Sequence, residues 1–238
     1  MAIDREKLKE YAAENGIVLE EGMLSAFEEY GESLKEWNEK VNLTAIVDDE
    51  GILVKHFIDS LLLLQAVDLP QGAKVADIGT GAGFPGVPVK IARPDISLVL
   101  VDSLNKRLAF LEDLCRRLDI SAERVHGRAE DLGRMPQYRE AFDLVTARAV
   151  TNLRELAEFC LPMVKKGGCF GAMKGFEVEE ELAQAKKAIA LLGGRVQEVR
   201  KYTLPDGGKR SVVVIKKISQ TPTKYPRPFA KITKNPLI

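Results

Sequence analysis

Apolar residues in the first 70 positions follow helical spacing. They recur three or four positions apart, on one helix face, at Met23, Leu24, Phe27, Tyr30, Leu34 and Trp37. A shorter helix is predicted to end at Asn15-Gly16, and a third helix to run from about Asp49 to Val67. The pattern therefore predicts an N-terminal helical cap over residues 1–70, which ends at Pro70-Gln71-Gly72.

After Gly72, short β-rich runs alternate with helical stretches. Seven strands are predicted, at residues 74–78, 96–102, 124–126, 142–147, 169–174, 195–202 and 211–217. Helices are predicted between them at 85–92, 105–118, 152–160 and 177–192. This alternation indicates an α/β domain over residues 71–219, with a mostly parallel sheet covered on both faces. Only a turn around Pro205-Asp206-Gly207-Gly208 separates the last two strands, so we expect a hairpin and one antiparallel strand.

The composition narrows the class of protein. The chain has 238 residues with 45% hydrophobic content, enough to bury a large core. We see neither a run of apolar residues long enough to span a membrane nor a secretory signal, and we expect a cytoplasmic monomer. The three cysteines form no C-x-x-C pair and there are only two histidines, so no metal site is predicted.

Charge is distributed unevenly although the net charge is zero. Residues 1–50 contain 14 acidic and 5 basic residues, whereas residues 207–238 contain 8 basic residues and no acidic one. A basic end of this kind suggests a polyanionic partner. The segment 220–238 contains four prolines and four basic residues, and we predict a non-helical tail that attracts this polyanion.

A glycine-rich loop follows the first predicted strand. Gly79 and Gly81 lie in the spacing D-x-G-x-G-x-G, which begins at Asp77. Glycines allow a ligand to lie against the backbone. Asp102 ends the next strand, 23 residues after Gly79, where a carboxylate can accept hydrogen bonds from both hydroxyls of a ribose. These residues predict an adenosine-containing ligand.

The spacing also helps to identify that ligand. A dinucleotide fingerprint is G-x-G-x-x-G and places a pyrophosphate at the helix N-terminus. The negative charge of Asp77 suits a cationic ligand better, and S-adenosylmethionine carries both an ammonium and a sulfonium. A methyltransferase is favoured, with a dinucleotide-dependent oxidoreductase and a small-molecule methyltransferase as alternatives.

The residues at the end of the fourth strand indicate which kind of atom accepts the methyl group. It lacks the Asn/Asp-Pro-Pro-aromatic motif typical of methylation at an exocyclic amine, and Cys160 is interpreted as a core residue rather than a nucleophile. An acceptor with its own lone pair, such as guanine N7, needs no general base. Catalysis then depends on holding the nucleophile in line with the methyl–sulfur bond. Arg148, at this strand end, is a candidate for positioning.

The chain resembles the bacterial family of small-subunit (16S) ribosomal RNA guanine-N7 methyltransferases, also called glucose-inhibited division protein B. The resemblance rests on Trp37–Thr44, Lys55–Ser60, Asp77–Pro85, Val101–Arg107, Arg128–Glu130, Thr146–Ala149 and Lys224–Arg227. It implies a Rossmann-like methyltransferase fold and methyl transfer from S-adenosylmethionine to N7 of one guanine in small-subunit RNA or its precursor particle.

The resemblance also implies particular site residues. S-adenosylmethionine is expected at Gly79, Phe84, Ala129, Glu130 and Arg148. The expected RNA-facing residues are Asn38, His56, Lys174 and Arg210. A helix-end role for Asn38 and a hydrogen bond between His56 and Asp59 remain alternatives, as does a non-catalytic ribosome-assembly factor.

Overall fold

The computed structural model of the protein describes residues 3–237. At its centre is a seven-stranded sheet in the order β3-β2-β1-β4-β5-β7-β6. The strands are β1 Lys74–Ile78, β2 Ser97–Asp102, β3 Ala122–His126, β4 Phe142–Arg148, β5 Val164–Gly175, β6 Gly194–Thr203 and β7 Lys209–Lys217. All seven predicted strands are present.

Strand β7 is the antiparallel strand. It inserts between β5 and β6 and pairs antiparallel with both, whereas the pairs among β1 to β5 are parallel. The short turn between β6 and β7 cannot hold the crossover helix that a parallel pair needs. The prediction of one antiparallel strand is confirmed, with β6 rather than β7 at the edge of the sheet.

Helices cover both faces of the sheet. They are α1 Arg5–Glu14, α2 Glu21–Asn38, α3 Asp49–Gly51, α4 Asp59–Leu61, α5 Leu63–Ala66, α6 Gly86–Ala92, α7 Asn105–Arg117, α8 Ala129–Leu132, α9 Leu153–Cys160, α10 Glu179–Leu191 and α11 Phe229–Lys234. One hydrophobic core joins the helices before β1 to α6, α7 and one sheet face. A second core joins α8 to α11 to the other face.

The third predicted helix is interrupted by a π-helical stretch, Ile52–Ile58, between α3 and α4. The N–H of Asp59 bonds to the carbonyls of His56 and of Val54, the latter five residues earlier. The carbonyl oxygen of Lys55, within this stretch, accepts a hydrogen bond from Arg148 Nη1 at 2.9 Å. The irregular turn connects the cap to the end of β4.

The prediction of a non-helical tail is wrong for residues 229–234, which form α11. This stretch lies between prolines but contains none, and it buries Ile232 completely in the second core. The residues before it are also fixed, because the Arg139 guanidinium donates hydrogen bonds to the carbonyls of Thr221 and Tyr225. Tertiary contacts order a segment whose composition suggested a solvated tail.

The anchor of this segment is an ion pair between Arg227 and Glu158 of α9. Both carboxylate oxygens accept from the guanidinium, at 2.9 and 2.7 Å, and the Glu158 side chain is 1% exposed. Replacing Arg227 by Ala would leave a buried carboxylate without its partner. We expect the free energy of unfolding in urea to fall by on the order of 3 kcal/mol.

The control for this prediction is Arg116→Ala, which removes a surface pair with Asp113 in which the arginine is 72% exposed. That change should cost less than about 1 kcal/mol. Adding Glu158→Leu to Arg227→Ala should recover part of the loss, because the unpaired charge is then gone. Equal losses in Arg227→Ala and Arg116→Ala would contradict the assignment.

Candidate functional site

A cavity of about 280 Å³ opens at the carboxyl ends of β1, β2 and β3. We call it the first cavity. Its walls come from the glycine loop, the end of β2, the loop after β3, the segment after β4, and two aromatic side chains. Residues lining it include Gly79, Asp102, Arg107, Ala129, Glu130, Val150, Phe159 and Phe229. The strand order places four of the eight predicted cofactor residues here.

Two glycines give the loop its shape. Gly79 has φ +66°, and a Cβ at this position would lie 2.8 Å from a methyl carbon of Val150. Gly83 has φ +93°, and a Cβ there would lie 2.7 Å from the hydroxyl oxygen of Tyr30. Both positions require glycine for conformation and for space. Gly79 therefore lines the first cavity with backbone atoms alone, next to the Val150 side chain.

Asp102 is 2% exposed at the edge of the first cavity. Its Oδ1 accepts from the N–H of Leu104 at 2.9 Å, and its Oδ2 accepts from the N–H of Gly81 at 3.0 Å. Arg107 Nη1 lies 3.3 Å from Oδ2. Each carboxylate oxygen can accept two hydrogen bonds, so Oδ1 can still accept from a ribose hydroxyl. Gly81 does not line the cavity and instead connects the loop to this carboxylate.

Asp77 lies fully buried beneath the loop and does not line the first cavity. Its Oδ2 accepts from the Thr80 hydroxyl at 2.7 Å and from the N–H of Gly86 at 2.9 Å. Its Oδ1 has no hydrogen-bond partner among the described residues. Burial raises the pKa of this carboxyl to about 6, against the lowering effect of the two hydrogen bonds. Its charge lies directly under the glycine loop.

Ala129 and Glu130 follow β3 at the start of α8. Both line the first cavity, next to Gly127 and Arg128. The Glu130 side chain is almost completely buried, and this burial raises the pKa of its carboxyl. Since β3 neighbours β2 in the sheet, these residues lie on the far side of Asp102 from the glycine loop.

A second cavity, of about 440 Å³, lies over the ends of β4 and β5. Ala149 lines both cavities, so they meet at this residue. Ala149 adopts φ +56°, a left-handed conformation that is uncommon for residues with a side chain. Cationic and acidic side chains line the second cavity: Lys55, His56, Asp59, Arg148, Lys174, Glu181 and Arg210.

Arg148 ends β4 and connects the sheet to the cap. Its Nη1 lies 3.0 Å from Asp59 Oδ2, and its Nη2 lies 3.1 Å from His56 Nδ1. The guanidinium also lies over the Phe84 ring, 4.9 Å from its centre. Tyr202 of β6 donates from its hydroxyl to the other Asp59 oxygen at 3.0 Å. Arg148 thus lines the second cavity and fixes the residues around it.

The contacts of His56 define its protonation. Because Arg148 has only donors, His56 Nδ1 must accept, so the ring proton is on Nε2 and points to the Thr44 hydroxyl oxygen at 2.9 Å. Burial lowers the pKa of His56 to about 3, helped by the charge of Arg148. The alternative hydrogen bond between His56 and Asp59 does not form: His56 bonds to Thr44 and Arg148, and Asp59 to Arg148 and Tyr202.

This neutral histidine predicts a pH dependence of stability. The pKa of His56 is about 3 in the folded protein and near 6.5 in the unfolded chain, so the unfolded chain binds more protons between these values. The contribution of neutral His56 to the free energy of unfolding is complete above pH 6.5 and is lost as pH falls toward 3. In urea, we expect wild type to lose more stability from pH 7 to pH 4.5 than His56→Gln does.

The comparison with His56→Gln isolates this group. The raised pKa of Asp77 has the opposite sign, favouring the fold as pH falls through about 6, but it is common to both proteins. Glutamine can accept from Arg148 and donate to Thr44, so it keeps the hydrogen bonds without the titration. Parallel stability profiles for the two proteins would show that His56 does not titrate as expected.

Phe84 is 4% exposed and lines neither cavity. Its ring stacks between Tyr30 of α2, at 5.2 Å, and His56, at 4.4 Å between centres. Tyr30 in turn donates from its hydroxyl to the carbonyl of Ala82. Phe84 therefore holds the glycine loop against the cap. It would affect a cofactor only indirectly, by fixing the conformation of that loop.

The four predicted RNA-facing residues divide into two groups. His56, Lys174 and Arg210 line the second cavity. Lys174 Nζ also bonds to the Thr151 carbonyl at 2.9 Å and pairs with Glu181 at 2.7 Å. Asn38 lines neither cavity, and its amide bonds to the backbone of Leu43 and Thr44. It positions the loop that carries the hydroxyl partner of His56.

Sequence reasoning missed several residues of the first cavity. Arg107 is one of them, although its place in the first turn of α7, just after Asp102, indicates this cavity. Phe159 precedes Cys160 in α9, and Phe229 falls in the predicted tail. Val150 follows directly after the strand-end motif. For Phe159 and Phe229, the sequence contains no local signal, because only tertiary packing brings α9 and α11 to this edge.

S-adenosylmethionine fits the first cavity by three criteria. Gly79 presents loop backbone without a side chain, and Asp102 Oδ1 can still accept a hydrogen bond from a ribose hydroxyl. The unpartnered Oδ1 of Asp77 adds negative charge beneath the loop. Residues on both sides of Asp102 leave room for an amino-acid end near Gly79 and a base near Ala129 and Glu130.

Comparison with known proteins identifies the family. A family model described as rRNA small subunit methyltransferase G matches residues 23–213. Ribosomal RNA small subunit methyltransferase G of Clostridium novyi is 50% identical over 230 residues, with 95% of each chain covered. The protein of the same name from Pelotomaculum thermopropionicum is 48% identical over 239 residues, with 100% of each chain covered.

Solved structures agree on the fold. Precorrin-6y C5,15-methyltransferase from Geobacter metallireducens superposes with a TM-score of 0.52 at 16% identity, over 66% of this chain and 87% of that chain. This likeness supports the fold only. Within residues 3–237, no helix has the length and apolar character needed to cross a bilayer.

These findings bear on the sequence predictions. The Rossmann-like methyltransferase fold is confirmed, as are the enzyme class and S-adenosylmethionine as its cofactor. The matched residues include the glycine loop, the end of β4 and most of the lining of both cavities. The chain belongs to the rRNA small subunit methyltransferase G family.

Proposed function

We propose that this protein transfers a methyl group from S-adenosylmethionine to N7 of a specific guanine in small-subunit (16S) ribosomal RNA. The observation that carries the proposal is the meeting of the two cavities at Ala149. One cavity suits an adenosine ligand and the other is lined by cationic side chains. A methyl donor and an RNA base can therefore approach each other at one point.

The first cavity would hold the donor by its own residues. Asp102 binds the ribose, Gly79 provides bare backbone, and Ala129 and Glu130 face the base. When bound, S-adenosylmethionine supplies an electrophilic methyl group on a sulfonium. The buried carboxylate of Asp77 favours a positive ligand through the loop, at short range and away from solvent.

The second cavity would hold the guanine and its phosphates. Arg210, together with Lys55 at 3.6 Å from Asp206, places positive charge at its wall, which suits the RNA backbone. Arg148, fixed by Asp59 and His56, keeps this wall in one arrangement. In this site Arg148 is a positioning residue, since alignment of nucleophile and methyl group supplies the rate.

The neutral state of His56 suits this chemistry. Guanine N7 has a lone pair, so no residue has to remove a proton before attack. The purine gains positive charge during transfer, and an imidazolium at the cavity wall would oppose that change. The lowered pKa of His56 keeps its ring uncharged at neutral pH.

Attraction to RNA has to come from local charge, because the net charge of the chain is zero. The C-terminal segment contributes less than its composition suggests. Arg227 is paired with Glu158, whereas Lys231 and Lys234 lie exposed on the short helix α11. We therefore assign phosphate contacts to the second cavity and to these exposed lysines. A cytoplasmic place of action and a monomeric state are part of the proposal.

The test is methylation of small-subunit RNA and of small-subunit particles with labelled S-adenosylmethionine. We expect label in one nucleotide, with N7-methylguanosine identified by mass spectrometry after digestion. Label that survives ribonuclease in a small molecule would favour a small-molecule methyltransferase instead. Binding to particles without methyl incorporation would favour a non-catalytic assembly factor.

A further inference from the structure

The C-terminal helix brings an aromatic ring to the first cavity. Phe229, the first residue of α11, lines this cavity together with Phe159 and Arg128. It lies outside residues 23–213, the part of the chain that the family model matches. The ring is 43% exposed, a large fraction for a phenylalanine in an ordered segment.

Contacts before and after Phe229 in the chain fix the position of this exposed residue. Two residues earlier, Arg227 is anchored to Glu158, and three residues later Ile232 is fully buried. The Phe159 ring lies nearly parallel to it, with 6.1 Å between centres and 17° between planes. The Arg128 guanidinium lies over the ring, 4.5 Å from its centre. An aromatic ring is thus fixed in place at the wall of the first cavity.

The Phe229 ring lies on the side of the first cavity where the base of a bound cofactor would extend. Asp102 ends β2 and would take the ribose, while the glycine loop after β1 lies on one side of it. Residues 127–130, after β3, lie on the other side, where the base must extend. Phe229 contacts Arg128 within this second group. The exposed part of an aromatic ring here can contact a purine.

We propose that Phe229 forms a wall of the cofactor cavity at the adenine end, so that the C-terminal segment takes part in cofactor binding. This inference rests on the cofactor assignment in the proposed function and adds a residue to it. It also assigns a role to the ion pair between Arg227 and Glu158, because that ion pair fixes the position of the Phe229 ring. Occupation of the cavity should in turn hold α11 in place.

The direct test is calorimetry with S-adenosylhomocysteine and with 5′-methylthioadenosine, which lacks the amino-acid end. Phe229→Ala is expected to weaken both ligands by a similar factor, about 5- to 20-fold, from the usual strength of aromatic packing on a base. Phe229→Tyr should stay within about two-fold of wild type, because it keeps the ring. Leu191→Ala, at a site 42% exposed and outside the first cavity, is the matched control.

A second measurement tests the coupling to α11. Trypsin can cut after Lys231 and Lys234, and saturating S-adenosylhomocysteine should slow these cuts at least three-fold, on the order of the helix stabilisation expected from linkage. In Phe229→Ala the protection should be largely lost at equal saturation. This readout is independent of methyl transfer.

Several results would overturn the inference. Unchanged or tighter binding to Phe229→Ala would show that the ring is not a wall or that it obstructs the cavity. Weaker binding of S-adenosylhomocysteine alone would place the ring at the amino-acid end, and weaker binding of RNA alone would make it an RNA contact. If wild type binds neither ligand, the cofactor assignment itself fails. If wild type binds both but methylates another acceptor, only the proposed substrate fails.

Discussion

Replacing Asp102 by Ala is expected to weaken binding of S-adenosylhomocysteine by about 100-fold or more, from the loss of one charge-assisted hydrogen bond to the ribose together with the support of the glycine loop. The buried carboxylate would bind a ribose, and it also holds the N–H groups of Gly81 and Leu104. The alanine variant loses the ligand contact and the support of the glycine loop together. Calorimetry with the purified variant measures the effect, and circular dichroism should show an intact fold.

Asp131→Ala provides the control for this prediction. Asp131 is an exposed acid next to Glu130, outside the first cavity, so its removal changes the charge nearby without changing the site. Its affinity should match wild type within about two-fold, as for other surface charges. Asp102→Asn should fall between wild type and alanine, because the amide keeps one acceptor oxygen. Normal affinity in Asp102→Ala would remove the ribose assignment.

Replacing Arg148 by Ala should lower kcat/KM for RNA by about 100-fold or more, the size of effect that misplacement of reacting groups produces. The variant would lose the bonds to Asp59, His56 and the carbonyl of Lys55 at once. It should also lose on the order of 3 kcal/mol of stability, because Asp59 is 4% exposed and would lack its cation. Since the side chain lines the second cavity, methyl transfer should fall further than affinity for S-adenosylhomocysteine.

Arg148→Lys and Arg117→Ala separate positioning from general stability. Lysine keeps the charge but cannot make the forked contacts to Asp59 and His56, so activity should stay low while stability partly returns. Arg117 of α7 also pairs with the cap, through Glu29 and Glu36, and with Asp113 of its own helix, but lies outside both cavities. Its alanine variant should keep normal kcat/KM wherever it is folded. Full activity in Arg148→Lys would limit the role of Arg148 to its charge.

The irregular helix before β1 shows why the site could not be predicted completely. Spacing in the sequence indicates a continuous helix over 49–67. In the structure this segment contains a π-helical stretch, and the Lys55 carbonyl within it accepts from Arg148, 93 residues away along the chain. Such a contact leaves no local pattern, because it depends on how the cap packs against the end of β4.

The sequence by itself determined the strands, their mainly parallel arrangement and the place of the glycine loop and Asp102. These depend on local hydrophobic periodicity and on the rule that parallel strands end at one edge of a sheet. Only the tertiary structure decided that Asp77 and Phe84 lie beneath the loop rather than in a cavity, and that Phe229 lines the first cavity. The physical reason is that burial and distant contacts, not local spacing, set where those side chains lie.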